Sequence, residues 1–528
     1  MPHLHTDNLS MPKVLKAHSD TIVTALLFVL FVILIAKYQY ALLSTMEWGD
    51  ESETIVITKL IASGKKLYSE VFSQHRPLIF LPGIITEQFG DYRNQGHRVI
   101  IAIGQLLVLL SIYFSPLVPR KSYANIYTGI AGTVLVVYMH LFYAHMFIYH
   151  SIAGMILAII LSQYTLPSIV APKRLTPTGI FLGNFLLGAL PFVAITYLPA
   201  SLLLILASLR KEYCKKALFF IFGGLLSNTI FLMVIGSIAG YLAIHIYLNL
   251  FIYSSLPHTS MGGFTDIYYT VIGLATNDLA GFLLISVFFI SILKLSLSEK
   301  RFPWRSILVA IALGSFMIRG GSFRGLPYYY ASLALPLVFF IDVPKIKPRY
   351  LLFISLFAFL CFIKLSLTLP SDKARFARMQ LPETTEFSRL VQQLTDKDDR
   401  IISYSFNNFE YLAADRLPAS GHIYYLPQQE IYKEKPKFGI GFDACEEIDT
   451  YRPKIMLIDK WTAWGRFHWD TYGKCIQEVI NRNYIQVAGK PYYIRQDVLV
   501  NLMGHSADKF SKLPSLKEIM TAARYTNR

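Results

Sequence analysis

Charge is scarce in this chain. Only 16% of its 528 residues are Asp, Glu, Lys or Arg, against about 25% in ordinary soluble domains. With 54% hydrophobic residues and a mean hydropathy of +0.43, the chain must be solvated largely by lipid. Cysteine is scarcer still. Of four, Cys214 and Cys361 fall at or in apolar blocks and Cys445 and Cys475 in the C-terminal region, and neither pair has the clustered spacing of a zinc site. The chain also lacks an internal repeat and a low-complexity tract. Transporters are commonly built from paired repeats with ionisable residues near the midplane, whereas this chain has no repeat and concentrates its polar residues in the loops between apolar blocks, which argues against transport. Acidic residues are few as well, 34 against 50 Lys and Arg, for a net charge of +16.

What is present is a succession of apolar blocks, long enough to cross a hydrocarbon core of about 30 Å once aromatic flanks are counted. They predict eleven spans, at 21–43, 99–115, 123–139, 151–170, 178–192, 197–209, 217–239, 279–297, 306–318, 328–341 and 350–369. The first reads as a retained anchor, because it lacks a small-residue cleavage site before the acidic loop. From an inside N-terminus carrying Lys13 and Lys16, every second loop is basic: Arg120 and Lys121, Lys173 and Arg174, Arg210 to Lys216, Lys300 to Arg305, and Lys345 to Arg349. Short basic loops stay cytoplasmic, so the C-terminus lies outside, and the positive charge is topology that needs no nucleic-acid partner. The expected fold is a polytopic α-helical membrane protein with a transmembrane domain over 1–369 and a soluble α/β domain over 370–528.

Outward segments at 44–97, 240–278 and beyond 370 are too long for simple connections, which places activity on the outer face. In the first, 52–61 has helical periodicity, and 78–89 is a short apolar run, ended by Gly90, that suits the membrane interface. In the outer domain, 400–404 and 454–459 read as buried strands, 472–483 as a helix, and 484–496 as a hairpin turning at Gly489.

The acidic run Glu47-Trp48-Gly49-Asp50-Glu51-Ser52-Glu53 stands just outside the first span. Carboxylates beside apolar walls can serve as general bases, while Asp50 followed by Glu53 is also a capping box that opens a helix. The two roles are compatible. His140, His145 and His150 turn about 140° per step on a helix and present no common metal-binding face. Trp461, Trp464, His468 and Trp469 are either a sugar-stacking group or the core of a small domain. Cys445 and Cys475 are candidates for a disulfide closing a loop of about thirty residues, the alternative being two free thiols.

The run from Trp48 through GDESETIVITKLIASGKKLYSEVFSQHRPLIFLPG resembles the first outer loop of class C (GT-C fold) glycosyltransferases, which use polyprenyl-phosphate sugars. The matching features are the pair Asp50-Glu51, Gly64, the step Tyr68-Ser69-Glu70 and the step His75-Arg76-Pro77-Leu78; Glu70 replaces an Asp and one Pro replaces two. Arg324-Gly-Leu-Pro-Tyr-Tyr-Tyr followed by Pro336 is similar to a late span entry of that superfamily, with Tyr328 where His is common. The stretches DDRIISYSFNNFEYLAADRLPAS and YRPKIMLID are similar to the soluble tail of the mannosyl and arabinosyl members of that aminoarabinose, mannosyl and arabinosyl transferase superfamily.

The resemblance implies transfer of a sugar from a polyprenyl-phosphate donor to a surface glycan, an O-antigen or lipopolysaccharide-like acceptor, at the periplasmic face of a bacterial inner membrane. Asp50 is the implied base and Glu51 the second choice. Arg76, Arg324 and His75 are the donor-phosphate candidates, and Tyr68, Tyr328 and Tyr329 line the substrate pocket. No cofactor is implied, a divalent metal is left open, and a donor synthase and a flippase are the expected protein partners. The alternatives are a transporter or flippase, or a non-catalytic subunit of surface-polysaccharide assembly, which would tolerate loss of Asp50.

Overall fold

The computed structural model describes residues 11–45, 49–90, 92–118, 121–140, 142–256, 271–273, 276, 279–299, 302–315, 326–345, 380–405 and 408–504. The chain is a mostly helical, multi-pass membrane protein with a C-terminal mixed β-sheet domain. Among the described residues, five helices are long and apolar enough to cross a membrane: Asn94–Tyr113, Tyr149–Val170, Lys211–Ile235, Ile238–Ser255 and Gly281–Ser298. Shorter apolar helices, Val29–Leu42, Ala124–Val136, Pro177–Phe192, Ile195–Ser208, Trp304–Ser315 and Tyr328–Phe340, overlap six more of the expected spans, the first covering only part of the long one at 21–43. The expected span at 350–369 lies outside the described residues.

Local chemistry sets several boundaries. Thr176 caps the helix Pro177–Ala189 by accepting from the Gly179 amide, with Pro177 at its first position. That helix packs backbone to backbone against Cys214–Ile235. A Cβ at Gly188 would lie 2.2 Å from the Ile221 carbonyl, and one at Gly224 2.2 Å from that of Phe185. Small residues are what allow helices in lipid to approach so closely.

The expected outer loop at 240–278 is corrected over its first third, where Tyr241–Ile252 is a π-helix. The preceding helix stops at Ile235 because the edge of the first outer loop inserts there. The Leu67 amide donates to the Ile235 carbonyl (2.9 Å), and the Ser237 amide donates to the Leu67 carbonyl (3.2 Å). The chain then resumes helix under a Ser237 cap.

The first helix, α1 (Met11–Leu42), leads into α2 (Gly49–Ala62). The apolar run that follows forms a short helix, α3 (Phe80–Glu87), leaving Leu81, Ile85 and Phe89 exposed, the last at 83%, as expected of an interfacial segment. Next comes α4 (Asn94–Tyr113).

In the outer domain, β1 (Ile402–Tyr404) and β2 (Ile455–Ile458) pair in parallel, and β4 (Tyr492–Arg495) lies antiparallel between β2 and β3 (Tyr484–Gln486). Gly489, with φ +70°, turns the β3–β4 hairpin. Cys445 and Cys475 form a disulfide with Cα atoms 6.1 Å apart, joining the helices Ala444–Tyr451 and Lys474–Asn483. Several contacts among the described residues dock the sheet domain on the first outer loop. The Leu381 amide donates to the Ser44 carbonyl (2.9 Å), the Phe72 amide donates to the Gly421 carbonyl (2.9 Å), and the Phe72 ring stacks on His422 at 5.1 Å.

Candidate active site

A helix advances about 100° per residue, so the three carboxylates of α2 cannot share a face. Asp50 and Glu53, three apart, turn one way and Glu51 the other. Glu51 is 0% exposed and forked onto Arg98 of α4, itself 1% exposed, with Nε to Oε1 at 2.8 Å and Nη2 to Oε2 at 2.5 Å. The Phe147 amide also donates to Glu51 (2.7 Å). Arg98 donates in addition to the carbonyls of Leu42, Leu43 and Thr45, satisfying acceptors that a helix leaves open at its C-terminus. The pair therefore fixes the exit of α1 against the start of α2, and the Glu51 oxygens are occupied by this work.

Asp50 is the second residue of α2 and not its cap, so the expected capping box is not formed. Its carbonyl accepts from Thr54 Oγ1 (2.7 Å). Asp50 and Glu53 enter a cavity of about 190 Å³ between the first outer loop and the sheet domain. Glu53 is buried, with Oε2 3.4 Å from His75 Nε2. Burial pushes its carboxyl above the ordinary carboxylate value; His75 opposes that rise and the charge of Asp50 adds to it. The loop bearing His75 is held by Tyr68, a left-handed residue (φ +67°) whose hydroxyl donates to the His75 carbonyl (2.6 Å).

The remaining walls come from distant parts of the chain. Gln74, Tyr149 and Tyr253 line one side, and Tyr404, Ser405, Asn408, Tyr424, Tyr425, Leu426, Gln428, Trp461 and Trp464 the other. Tyr404 and Tyr425 stack at 5.9 Å, and Trp464 meets Tyr253 edge-on at 6.4 Å. Burial raises the Tyr424 phenol well above its usual range, with the nearby Glu53 and Asp50 contributing. The described residues lining the cavity include two carboxylates, amide side chains and aromatic rings, and neither Lys nor Arg. A hydroxyl-rich ring with apolar faces matches that lining better than an anion does.

Of the residues singled out from sequence, Asp50 and His75 line the cavity. Arg76 does not. Its guanidinium is buried at 2% exposure, donating to Tyr241 Oη (2.5 Å) and the Pro191 carbonyl (3.4 Å) beside the π-helix. Tyr68 sits behind His75. Tyr328 and Tyr329 pack in the helical bundle, Tyr328 edge-on to Phe288 at 4.7 Å and Tyr329 donating to the Leu135 carbonyl. Arg324 lies outside the described residues. The three histidines do not converge: His145 faces Thr45 (3.3 Å) and His150 faces Tyr197 (2.9 Å). Of the three tryptophans of the outer domain, Trp469 is core, and Trp461 and Trp464 reach the cavity.

No protein-family model and no curated protein matches the chain. Among solved structures, ArnT from Cupriavidus metallidurans, crystallised with undecaprenyl phosphate, is similar at a TM-score of 0.46 and 13% identity, over 74% of this chain and 85% of that one. The Archaeoglobus fulgidus oligosaccharyltransferase, in complex with zinc and sulfate, is similar at 0.44 and 13%, over 86% and 71%. At these scores the functional reading rests on the chain's own residues.

Proposed function

We propose that this chain is a glycosyltransferase that moves a sugar from a polyprenyl-phosphate donor to a hydroxyl of a surface glycan, at the periplasmic face of a bacterial inner membrane. One observation carries the reading. Asp50 and Glu53 project from the first turn of α2 into an aromatic-walled cavity roofed by the outer domain. In the proposed step, Asp50 takes the proton of the acceptor hydroxyl as its oxygen attacks the anomeric carbon. The bond from that carbon to the phosphate oxygen breaks, and polyprenyl phosphate departs with the electron pair.

Glu51, tied to Arg98, acts by positioning Asp50. His75 pairs with Glu53 and limits the negative charge beside the base. Arg76 and Arg324 are proposed for the donor phosphate, since a guanidinium meets phosphate through two parallel hydrogen bonds. An O-antigen or lipopolysaccharide-like glycan is the proposed acceptor. The test is to incubate purified protein with a panel of polyprenyl-phosphate sugars and surface glycans and to analyse the lipid released. Polyprenyl phosphate formed only when acceptor is present supports the reading. Sugar movement without lipid phosphate release contradicts it.

A further inference from the structure

We infer, resting on the transfer reaction proposed above, that the outer-domain loop 461–467 is the acceptor-selecting platform: Trp464, beside Trp461 and Tyr253, stacks on an uncharged sugar ring of the acceptor. The loop is built to present this side chain. Trp464 has φ +52°, a left-handed conformation that a bulky residue rarely adopts. It is followed by Gly465 at φ +71°, and the turn is closed by the Ala463 amide donating to the Phe467 carbonyl (2.8 Å) and the Gly465 amide to that of Thr462 (3.2 Å). Ala463 anchors the loop in the domain core. Trp469, a few residues on, supplies the core tryptophan, fitted so closely that a Cβ at Gly473 would lie 2.4 Å from its ring. Trp461 and Trp464 remain half-buried, with one side on the domain core and the other on the cavity.

The polar lining selects for hydroxyls. Asn408 and Gln428 are buried and line the cavity, and each leaves its side-chain oxygen without a hydrogen-bond partner among the described residues, as does the Gln74 amide nitrogen. Buried polar atoms in folded proteins are nearly always paired, and sugar hydroxyls both donate and accept. Asp50 and Glu53, unaccompanied by any Lys or Arg among the described lining residues, disfavour a phosphate or carboxylate on the bound ring. At about 190 Å³ the cavity is below the ~300–1,000 Å³ of pockets that enclose drug-sized ligands, which suits a single ring. Chemistry and acceptor choice are thus divided, with the base on α2 and the selecting surface on the sheet domain.

The test uses the full-length Asp50→Asn protein in lipid nanodiscs, so that binding is read without turnover, against a broad glycan array containing neutral, uronic-acid and phosphorylated members. Neutral glycans are expected to bind, and Trp464→Ala to weaken them about tenfold, the order of one aromatic contact. Trp464→Phe should keep most of the binding, while folding is followed through the Cys445–Cys475 disulfide. Preference for anionic glycans, absence of any neutral binder, or neutral binding unchanged in Trp464→Ala overturns the inference. Failure of the transfer reading is separate and shows as no polyprenyl phosphate release from the parent protein under any acceptor.

Discussion

Three carboxylates within four residues have different fates because the helix aims them differently. Glu51→Gln leaves Arg98 buried opposite a neutral amide. Breaking a buried pair from one side costs about 3–5 kcal/mol, so this variant is expected to lose folded yield and thermal stability. Asp50→Asn is expected to keep its melting temperature and lose turnover, so the two neighbours are told apart by measuring both. Glu53 behaves differently with pH. Burial raises its carboxyl, so its contribution to stability is full below the ordinary value of 4.5 and is lost as pH rises through the raised one. Glu53→Gln should therefore gain thermal stability relative to the parent near pH 8, with the difference shrinking toward pH 4; a gap that widened on acidification would contradict this. Asp50 and Glu53 were both legible in the sequence, Asp50 as the implied base and the two together as a capping box that the helix does not form. Arg98 and the cavity-facing tyrosines carried no local signal, since what defines them is a partner tens to hundreds of residues away.

Between elements, the junction of the sheet domain with the first outer loop decides whether the cavity has a roof. The segment Ser420–Gly421–His422 lies there. Glu447 Oε2 accepts from Ser420 Oγ (2.5 Å) and the Gly421 amide (3.0 Å) and stands 3.6 Å from His422 Nδ1. Burial works to raise Glu447, yet the hydrogen bond and charge of His422, with the other donors, hold it below its ordinary value. Its stabilisation is then full above about 4.5 and is lost as pH falls through the lowered value. Glu447→Gln should melt earlier than the parent at pH 7 and converge with it in acid. At Gly421 a Cβ would lie 2.5 Å from the Glu70 carbonyl. Gly421→Ala should cost about 1–3 kcal/mol and loosen the junction, seen as faster proteolysis of the outer domain. The strands, the Gly489 turn and the short apolar helix after the first outer loop's Pro77 were readable from alternation, turn residues and the apolar run itself. The π-helix at Tyr241–Ile252 was not, because what ends the preceding helix is the docked edge at Leu67 rather than a residue within it.

For the whole molecule, the cavity draws on the first outer loop and the C-terminal domain together, so both lie on one side of the membrane. The basic loops predict that this side is outside. With Cys214 and Cys361 replaced by serine, Lys66→Cys and Arg466→Cys should react with an impermeant maleimide in intact spheroplasts, and Lys215→Cys only after permeabilisation; labelling of all three alike would overturn the topology. The charge pattern carries the expectation of sidedness, whereas the closure of the sheet domain over α2 depends on pairings such as Leu381 with Ser44 that no periodicity announces.

We propose that Asp50 deprotonates an acceptor held in the cavity beneath the outer domain. The most direct test is the single-turnover rate of polyprenyl phosphate release, with donor and acceptor both saturating, for the parent and for Asp50→Asn. A general base contributes about 10²–10⁴ in rate, so the account predicts a loss of that size with donor and acceptor binding retained. Release by Asp50→Asn at the parent rate would contradict it.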